Sequence, residues 1–277
     1  LSKCRTERVK GPQEMFIERN HNGLIYMIST IFPARHAFTT RYGGVSRGKM
    51  ASLNLTLREG DFPENVRENL RRFGEVMGAG VDDFAVTHQV HENVVRIVDN
   101  RDRHICLSDV PYDADGIVTK EKGLPVMCFT ADCVPVLLCD SEKKTAAAVH
   151  CGWRSSVGDI LGEAVKKMCS LGAEPEKIFA AVGPAIGACC FETDEDVPQA
   201  VESWLSGDTE GLFRKKENGK TLVDLRSADK RRLMQLGVPE TQIDISDECT
   251  FCSHEKYWSH RYTKGERGGQ AACVVLE

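Results

Sequence analysis

Thr130-Ala131-Asp132-Cys133-Val134-Pro135-Val136-Leu137-Leu138-Cys139-Asp140-Ser141-Glu142-Lys143-Lys144-Thr145-Ala146-Ala147-Ala148-Val149-His150-Cys151-Gly152-Trp153-Arg154 consists of two apolar runs separated by one polar turn. Each run is strand-sized and the turn is short, so the stretch reads as an antiparallel hairpin. With residues 140–143 as a four-residue loop, Cys133 falls directly opposite His150. Directly opposed residues share a sheet face with Cβ atoms about 5 Å apart, a gap that one metal ion can bridge.

A third donor has to come from elsewhere in the chain. Thr87-His88-Gln89-Val90-His91 closes an expected strand at residues 84–90. The odd spacing of the two histidines puts them on opposite strand faces, so only one can join the hairpin pair. His91 borders the loop at Glu92-Asn93 and is the expected ligand, which leaves His88 a structural role. Two imidazoles and a thiolate are borderline-soft donors that suit zinc, and three protein ligands with one open position form the catalytic pattern. The same donors also accept copper. Without a metal, Cys133 and His150 could form a nucleophile–base dyad, or be a buried thiol and a satisfied histidine.

Around this hairpin the sequence alternates strands with a few helices. Strands are expected at residues 24–31, 37–40, 94–98, 116–119, 126–129, 178–182, 243–246 and 271–276. A helix is expected at residues 64–77, with Pro63 at its start, Gly78 at its stop, and Val66, Leu70, Phe73 and Met77 on one face. Further helices are expected at residues 159–170, 194–205 and 226–236, the last capped by Asp224 and Gly237. Clustered strands without strict βαβ alternation indicate an α+β fold, a layered α/β sandwich with mixed sheets in a single catalytic domain, residues 1–23 forming an N-terminal extension. Residues 206–219, polar and glycine-containing, are the expected flexible excursion.

The 277 residues suffice for a full hydrophobic core, and 41% hydrophobic with 28% charged residues is an ordinary globular composition. A net charge of −5 without a Lys/Arg cluster disfavours nucleic acid as a partner. No apolar run reaches membrane-spanning length, and the N-terminal Leu-Ser-Lys-Cys-Arg-Thr-Glu lacks the apolar core of a signal peptide. A cytoplasmic protein with no membrane partner is expected, its 12 cysteines spread through apolar segments as reduced thiols. The sequence does not specify an oligomeric state.

Six segments occur in order: Phe38-Thr-Thr-Arg-Tyr-Gly-Gly-Val-Ser46, Gln89-Val-His91, Thr130-Ala-Asp-Cys-Val-Pro135, Val149-His-Cys-Gly-Trp-Arg154, Gly183-Pro-Ala-Ile-Gly-Ala-Cys-Cys-Phe-Glu192 and Cys249-Thr250. Together they closely resemble the purine nucleoside phosphorylase family once labelled polyphenol-oxidase laccase-domain proteins, from about Phe38 to the end. The resemblance implies zinc on His91, Cys133 and His150. It also implies cleavage of adenosine, inosine and S-methyl-5'-thioadenosine with phosphate, and deamination of adenosine. Ser155 stands where the family usually has glycine after His-Ala-Gly-Trp-Arg, and His260 departs from its aromatic-Ser-Tyr-Arg element.

Phosphorolysis needs an anion site and charge stabilisation near the ribose. Arg41, Arg154 and Arg261 lie inside the motifs and could grip phosphate bidentately or form structural ion pairs. Gly43 and Gly44 could offer backbone N–H groups or a plain tight turn, and Asn54 could bond ribose or cap a turn. Asp132, beside Cys133, is the candidate catalytic acid or base; Trp153 could stack on a purine or fill core. The deaminase signature His-x-Glu with Pro-Cys-x-x-Cys is absent. A multicopper oxidase is disfavoured because no two of the eight histidines stand as His-x-His. A non-enzymatic zinc module would need a fourth protein ligand, with Cys151 or Cys249 as the candidates.

Overall fold

Turn chemistry sets the first sheet in the computed structural model, which describes residues 16–57, 60–103 and 110–277. Strands β1 (Phe16–His21) and β2 (Leu24–Ser29) form a hairpin across Asn22-Gly23, both with the positive φ that a tight two-residue turn demands. Of residues 1–23, the first fifteen lie outside the described residues, and β1 is an edge strand of the sheet. Strand β3 (Arg35–Thr39) follows, then α1 (Pro63–Met77), which starts at its proline and ends on left-handed Gly78. Its Val66, Leu70, Phe73 and Met77 are all buried.

The central strands are β4 (Val95–Ile97), β5 (Gly116–Thr119), β6 (Val126–Thr130), β7 (Val134–Asp140) and β8 (Thr145–Cys151). Short α2 (Trp153–Val157) and α3 (Ile160–Ser170) lead to β9 (Phe179–Val182), β10 (Glu192–Thr193) and α4 (Asp196–Trp204). The chain closes with β11 (Phe213–Lys215), β12 (Thr221–Val223), α5 (Leu225–Gln235), β13 (Ile243–Ile245), α6 (His260–Thr263) and β14 (Gln270–Val275). The Asp224 carboxylate accepts the Ser227 N–H at 3.1 Å and caps α5.

The strands form a five-stranded sheet (β1-β2-β3-β14-β6), a mixed six-stranded sheet (β13-β9-β7-β8-β5-β4) and a small one (β10-β12-β11). Met27, Phe38, Val126, Leu137, Ala148 and Val274 pack together between the two large sheets. Ile160, Leu161, Ala164 and Leu233 of α3 and α5 cover the outer face of the six-stranded sheet, and Leu70 and Phe73 of α1 cover that of the five-stranded one. The result is the expected α+β layered sandwich.

Three expectations are corrected. Residues 84–90 form no strand: Ala85 and His88 make single bridges to Val126 and Asp113. The Gln89 amide then takes the place of a backbone partner, its Nε2 donating to the Phe129 carbonyl at 2.8 Å and its Oε1 accepting the Phe129 N–H at 2.7 Å. Residues 206–219 contain β11, which pairs with β12. The β7–β8 hairpin is antiparallel as expected, but Pro135, not Cys133, lies opposite His150. Its loop is residues 141–144, because Asp140 stays in the strand and its Oδ1 accepts the N–H groups of Glu142 and Lys143, while Lys144 takes a positive φ.

Candidate metal centre

Strand alternation determines which side chains reach the end of the hairpin. On β7, Leu137 and Cys139 face the five-stranded sheet, while Val134, Val136 and Leu138 face the helices. On β8, Ala146 and Ala148 face inward between the sheets, so His150 continues that side, whereas Cys151 joins the helix-facing core. Cys133 stands one residue ahead of β7, diagonal to His150. The register differs from expectation by two residues, and an even slip preserves the face, so the two donors still converge.

His91 arrives from outside the hairpin in a left-handed turn with φ 65°. Strand alternation therefore does not select it over His88, which is exposed and bonded to Asp113 at 2.7 Å. The selecting residue is Asp115, buried just ahead of β5. Its Oδ1 accepts the N–H of His91 at 3.0 Å and its Oδ2 those of Val90 at 3.1 Å and Glu92 at 2.9 Å. The same Oδ1 accepts the Nδ1 proton of His150 at 2.7 Å. One carboxylate thus wraps the His91 turn and fixes the His150 tautomer so that Nε2 is available as a donor. Sequence reasoning passed over Asp115; its signal was the second acid of Asp113-Ala-Asp-Gly116, set against the start of a buried strand.

The nitrogen and sulfur donors of His91, Cys133 and His150 all lie within 4.8 Å of one another, with Cys133 Sγ 3.8 Å from His91 Nε2. Zinc at ordinary bond lengths in a tetrahedron places sulfur and nitrogen about 3.5 Å apart, so the donor set fits a metal. Among the described residues no fourth His, Cys, Asp or Glu joins this group. Cys151 points to the opposite face, and Cys249 belongs to a separate cluster.

Burial alone would raise the Cys133 thiol, but His150 and His91 outweigh it and hold it down to about 6. Burial would likewise lower His150, yet the Cys133 thiolate and Asp115 lift it to about 9. Asp115 follows the same logic, its hydrogen bonds overcoming desolvation to keep it below the usual carboxylate range. The centre is a thiolate–imidazolium pair seated on a carboxylate, in which a cation can displace the imidazolium proton.

The other expected site residues surround this core. Asp132 has a left-handed backbone; its Oδ1 accepts from Thr250 Oγ1 and its Oδ2 from the Arg261 N–H, both at 2.6 Å, and its carbonyl accepts the Ile186 N–H. The bend that aims Cys133 is thus tied to the loops after β9 and β13 and to α6. Arg154 is exposed and stacks on Trp153, its guanidinium carbon 4.3 Å from the ring centroid. Arg261 is exposed and reaches the Glu192 carbonyl at 3.1 Å.

Arg41, in contrast, donates to the carbonyls of Ala51 and His254 and lies over Trp258. Asn54 is fully buried, bonded to Thr56, Asp61 and Gly269. A Cβ on Gly43 would lie 2.3 Å from Leu24 Cα, and one on Gly44 2.2 Å from the Ser52 carbonyl, so both glycines serve close backbone approach. Gly152, not singled out in the sequence, borders the centre: a Cβ there would meet the His91 ring at 2.9 Å.

The sequence profile of the family described as multi-copper polyphenol oxidoreductase laccase matches residues 35–277. A purine nucleoside phosphorylase of Corynebacterium glutamicum is 34% identical over 250 residues, 88% of this chain and 95% of that protein. The adenosine deaminase RL5 of an unknown prokaryotic organism is 33% identical over 229 residues, 81% of this chain and 87% of its own. The crystal structure of YlmD from Geobacillus stearothermophilus superposes with a TM-score of 0.89 at 29% identity, covering 96% of this chain and all of that one.

Proposed function

The chain belongs to the family described as multi-copper polyphenol oxidoreductase laccase, and from that membership we propose a metal-dependent purine nucleoside phosphorylase. It cleaves adenosine, inosine and S-methyl-5'-thioadenosine with phosphate and also deaminates adenosine to inosine. The names of relatives at 34% and 33% identity support both activities. The observation that carries the reading is the convergence of His91, Cys133 and His150 with no fourth protein donor among the described residues.

These three residues would hold the metal, which we take as zinc, with copper the rival for the same donors. When bound, it supplies a Lewis acid with an open coordination position. Asp115 keeps the proton on His150 Nδ1 and holds the His91 turn in place. Asp132 is a positioning residue, since both its oxygens are engaged. Arg154, exposed and pre-oriented on Trp153, is best disposed to grip phosphate, and Arg261 is the second candidate. Arg41, Gly43, Gly44 and Asn54, engaged in contacts within the fold, take a structural role in this reading. The ten free thiols among the described residues suit a reducing, cytoplasmic setting.

Incubation of metal-analysed protein with adenosine or inosine, with and without phosphate, and chromatography of the products tests this. Hypoxanthine should form from inosine only with phosphate, and inosine from adenosine without it. Phosphate-independent hypoxanthine would make the enzyme a hydrolase. One observation favours a second reading: Cys133, His150 and Asp115 also align as a thiol nucleophile, base and orienting acid. Activity that survives complete chelation and is lost on Cys133 alkylation would establish it instead.

A further inference from the structure

Strands β9 and β13 are parallel neighbours, so the loops leaving them run side by side. Ala185 bridges Cys249, and the Thr250 N–H donates to the Ala185 carbonyl at 3.0 Å. The first loop carries Cys189-Cys190 and the second Cys249-Thr-Phe-Cys252. Their four sulfurs all lie within 4.8 Å of one another, with Cys190 and Cys189 at 3.3 and 3.6 Å from Cys252. A tetrahedral zinc tetrathiolate has sulfur–sulfur edges of about 3.8 Å. We propose that Cys189, Cys190, Cys249 and Cys252 form a second, closed metal site that takes one divalent cation of the zinc class as a tetrathiolate.

The surroundings distinguish these thiols from core filler. Cys128, Cys139, Cys151 and Cys273 are each fully buried in apolar clusters and separate from one another, whereas Cys249, buried at the edge of its cluster, gathers half-buried Cys190 and Cys252 and exposed Cys189 around it. Burial of apolar sulfur does not account for four thiols meeting in a cluster that reaches the solvent at Cys189. Hydrogen-bond donors are also aimed at sulfur. The Gly187 N–H reaches Cys249 Sγ at 3.2 Å, and the Cys252 N–H bonds the same sulfur, as in a Cys-x-x-Cys metal turn. The Arg226 guanidinium, bound to the Ser246 and Glu248 carbonyls, lies against Gly187 on the same side and places a positive charge beside a centre of net charge about −2.

Such a site has a structural consequence for the first centre. Thr250 lies inside the Cys-x-x-Cys turn and Ile186 precedes Gly187, and these two residues hold the side chain and carbonyl of Asp132. A cation joining the two loops would fix the bend that aims Cys133. The open centre and the closed one would then differ in role as catalytic and structural sites do.

The test uses the His91→Ala/His150→Ala protein, which lacks the first centre, reduced, stripped of metal and titrated with cobalt(II) and with zinc against a chromophoric chelator. One equivalent should bind, cobalt should show the sulfur-to-metal charge-transfer and ligand-field bands of a tetrahedral tetrathiolate, and adding Cys252→Ser should remove the equivalent. In the wild-type protein, whose folding is not in question, zinc should protect these four thiols from alkylation while half-buried Cys169 stays reactive. Absence of binding in the double variant, unchanged alkylation with zinc in the wild type, or disulfides among these cysteines in wild-type protein purified under reducing conditions would overturn the proposal.

Discussion

Asp115→Asn removes one charge from the centre without changing the side chain's shape, and the structure sets the size of the effect. The carboxylate accepts four hydrogen bonds, two on each oxygen. If the amide oxygen takes the Oδ1 position, the bonds from His150 and His91 survive and the amide NH2 faces the N–H groups of Val90 and Glu92. Two part-buried donors then lose their acceptor, at about 1 kcal/mol each. If the amide is flipped, its NH2 faces His150 Nδ1 and imposes the tautomer whose Nε2 carries hydrogen and cannot ligate. Either orientation loosens a ligand, so metal affinity should fall about 10–100-fold. Chelator competition on purified protein measures it, with Asp113→Asn, which removes the exposed partner of His88, expected to bind as wild type. Wild-type affinity in Asp115→Asn would refute the assignment of Asp115 as the residue that orients both histidines.

Cys133→Ala and His150→Ala should each lose the first-centre metal on elemental analysis, and full retention in either would remove that residue from the ligand set. Gly152→Ala is conformationally permitted at φ −70°, so the 2.9 Å approach of its Cβ to the His91 ring should weaken metal binding with little change in thermal stability; a loss of stability without a loss of metal would contradict this. Arg154→Ala should raise the KM for phosphate while leaving deamination nearly intact, whereas Arg41→Ala, losing bonds to the Ala51 and His254 carbonyls, should lower stability by about 1.5–3 kcal/mol and both activities together. The reverse pattern in steady-state kinetics would move the phosphate to Arg41. Burial of His36, partly offset by its bond to the Ala34 carbonyl, lowers its pKa from 6.5 to about 4. Its neutral ring therefore stabilises the fold fully above pH 6.5, and up to about 3 kcal/mol is lost as the pH falls to about 4. Urea unfolding of metal-free protein at pH 7 and 4.5 should show this slope flattened in His36→Gln, and an unchanged slope would reject it.

The slip of the hairpin shows why the convergence of Cys133 and His150 could be read from a register that proved two residues off. Loop boundaries depend on single hydrogen bonds, here those of Asp140 to Glu142 and Lys143, which a pattern of apolar residues does not encode. Face identity depends only on whether the spacing is odd or even, so Cys133 and His150 stayed on one side. The choice of His91 picked a residue that the structure does bring beside Cys133 and His150, but from a strand that does not exist. What replaces that strand is the Gln89 amide paired to Phe129, a side-chain substitute for backbone that β-propensity cannot distinguish from a real partner.

The sequence by itself determined the layered α+β class, the buried face and both ends of α1, the Asp224 cap of α5, the antiparallel hairpin and the shared face of Cys133 and His150. These follow from periodicity and turn chemistry, which act over a few residues and are therefore written locally. Only the tertiary structure decided that Asp115 serves both histidines, that Gly152 leaves room for the His91 ring, that Arg41 is spent on carbonyls while Arg154 is not, and that four cysteines more than sixty positions apart in part come together. Each of these depends on where the ends of non-neighbouring strands emerge from the sheets. That placement results from burying both sheet faces at once, a global balance that no short window of sequence contains.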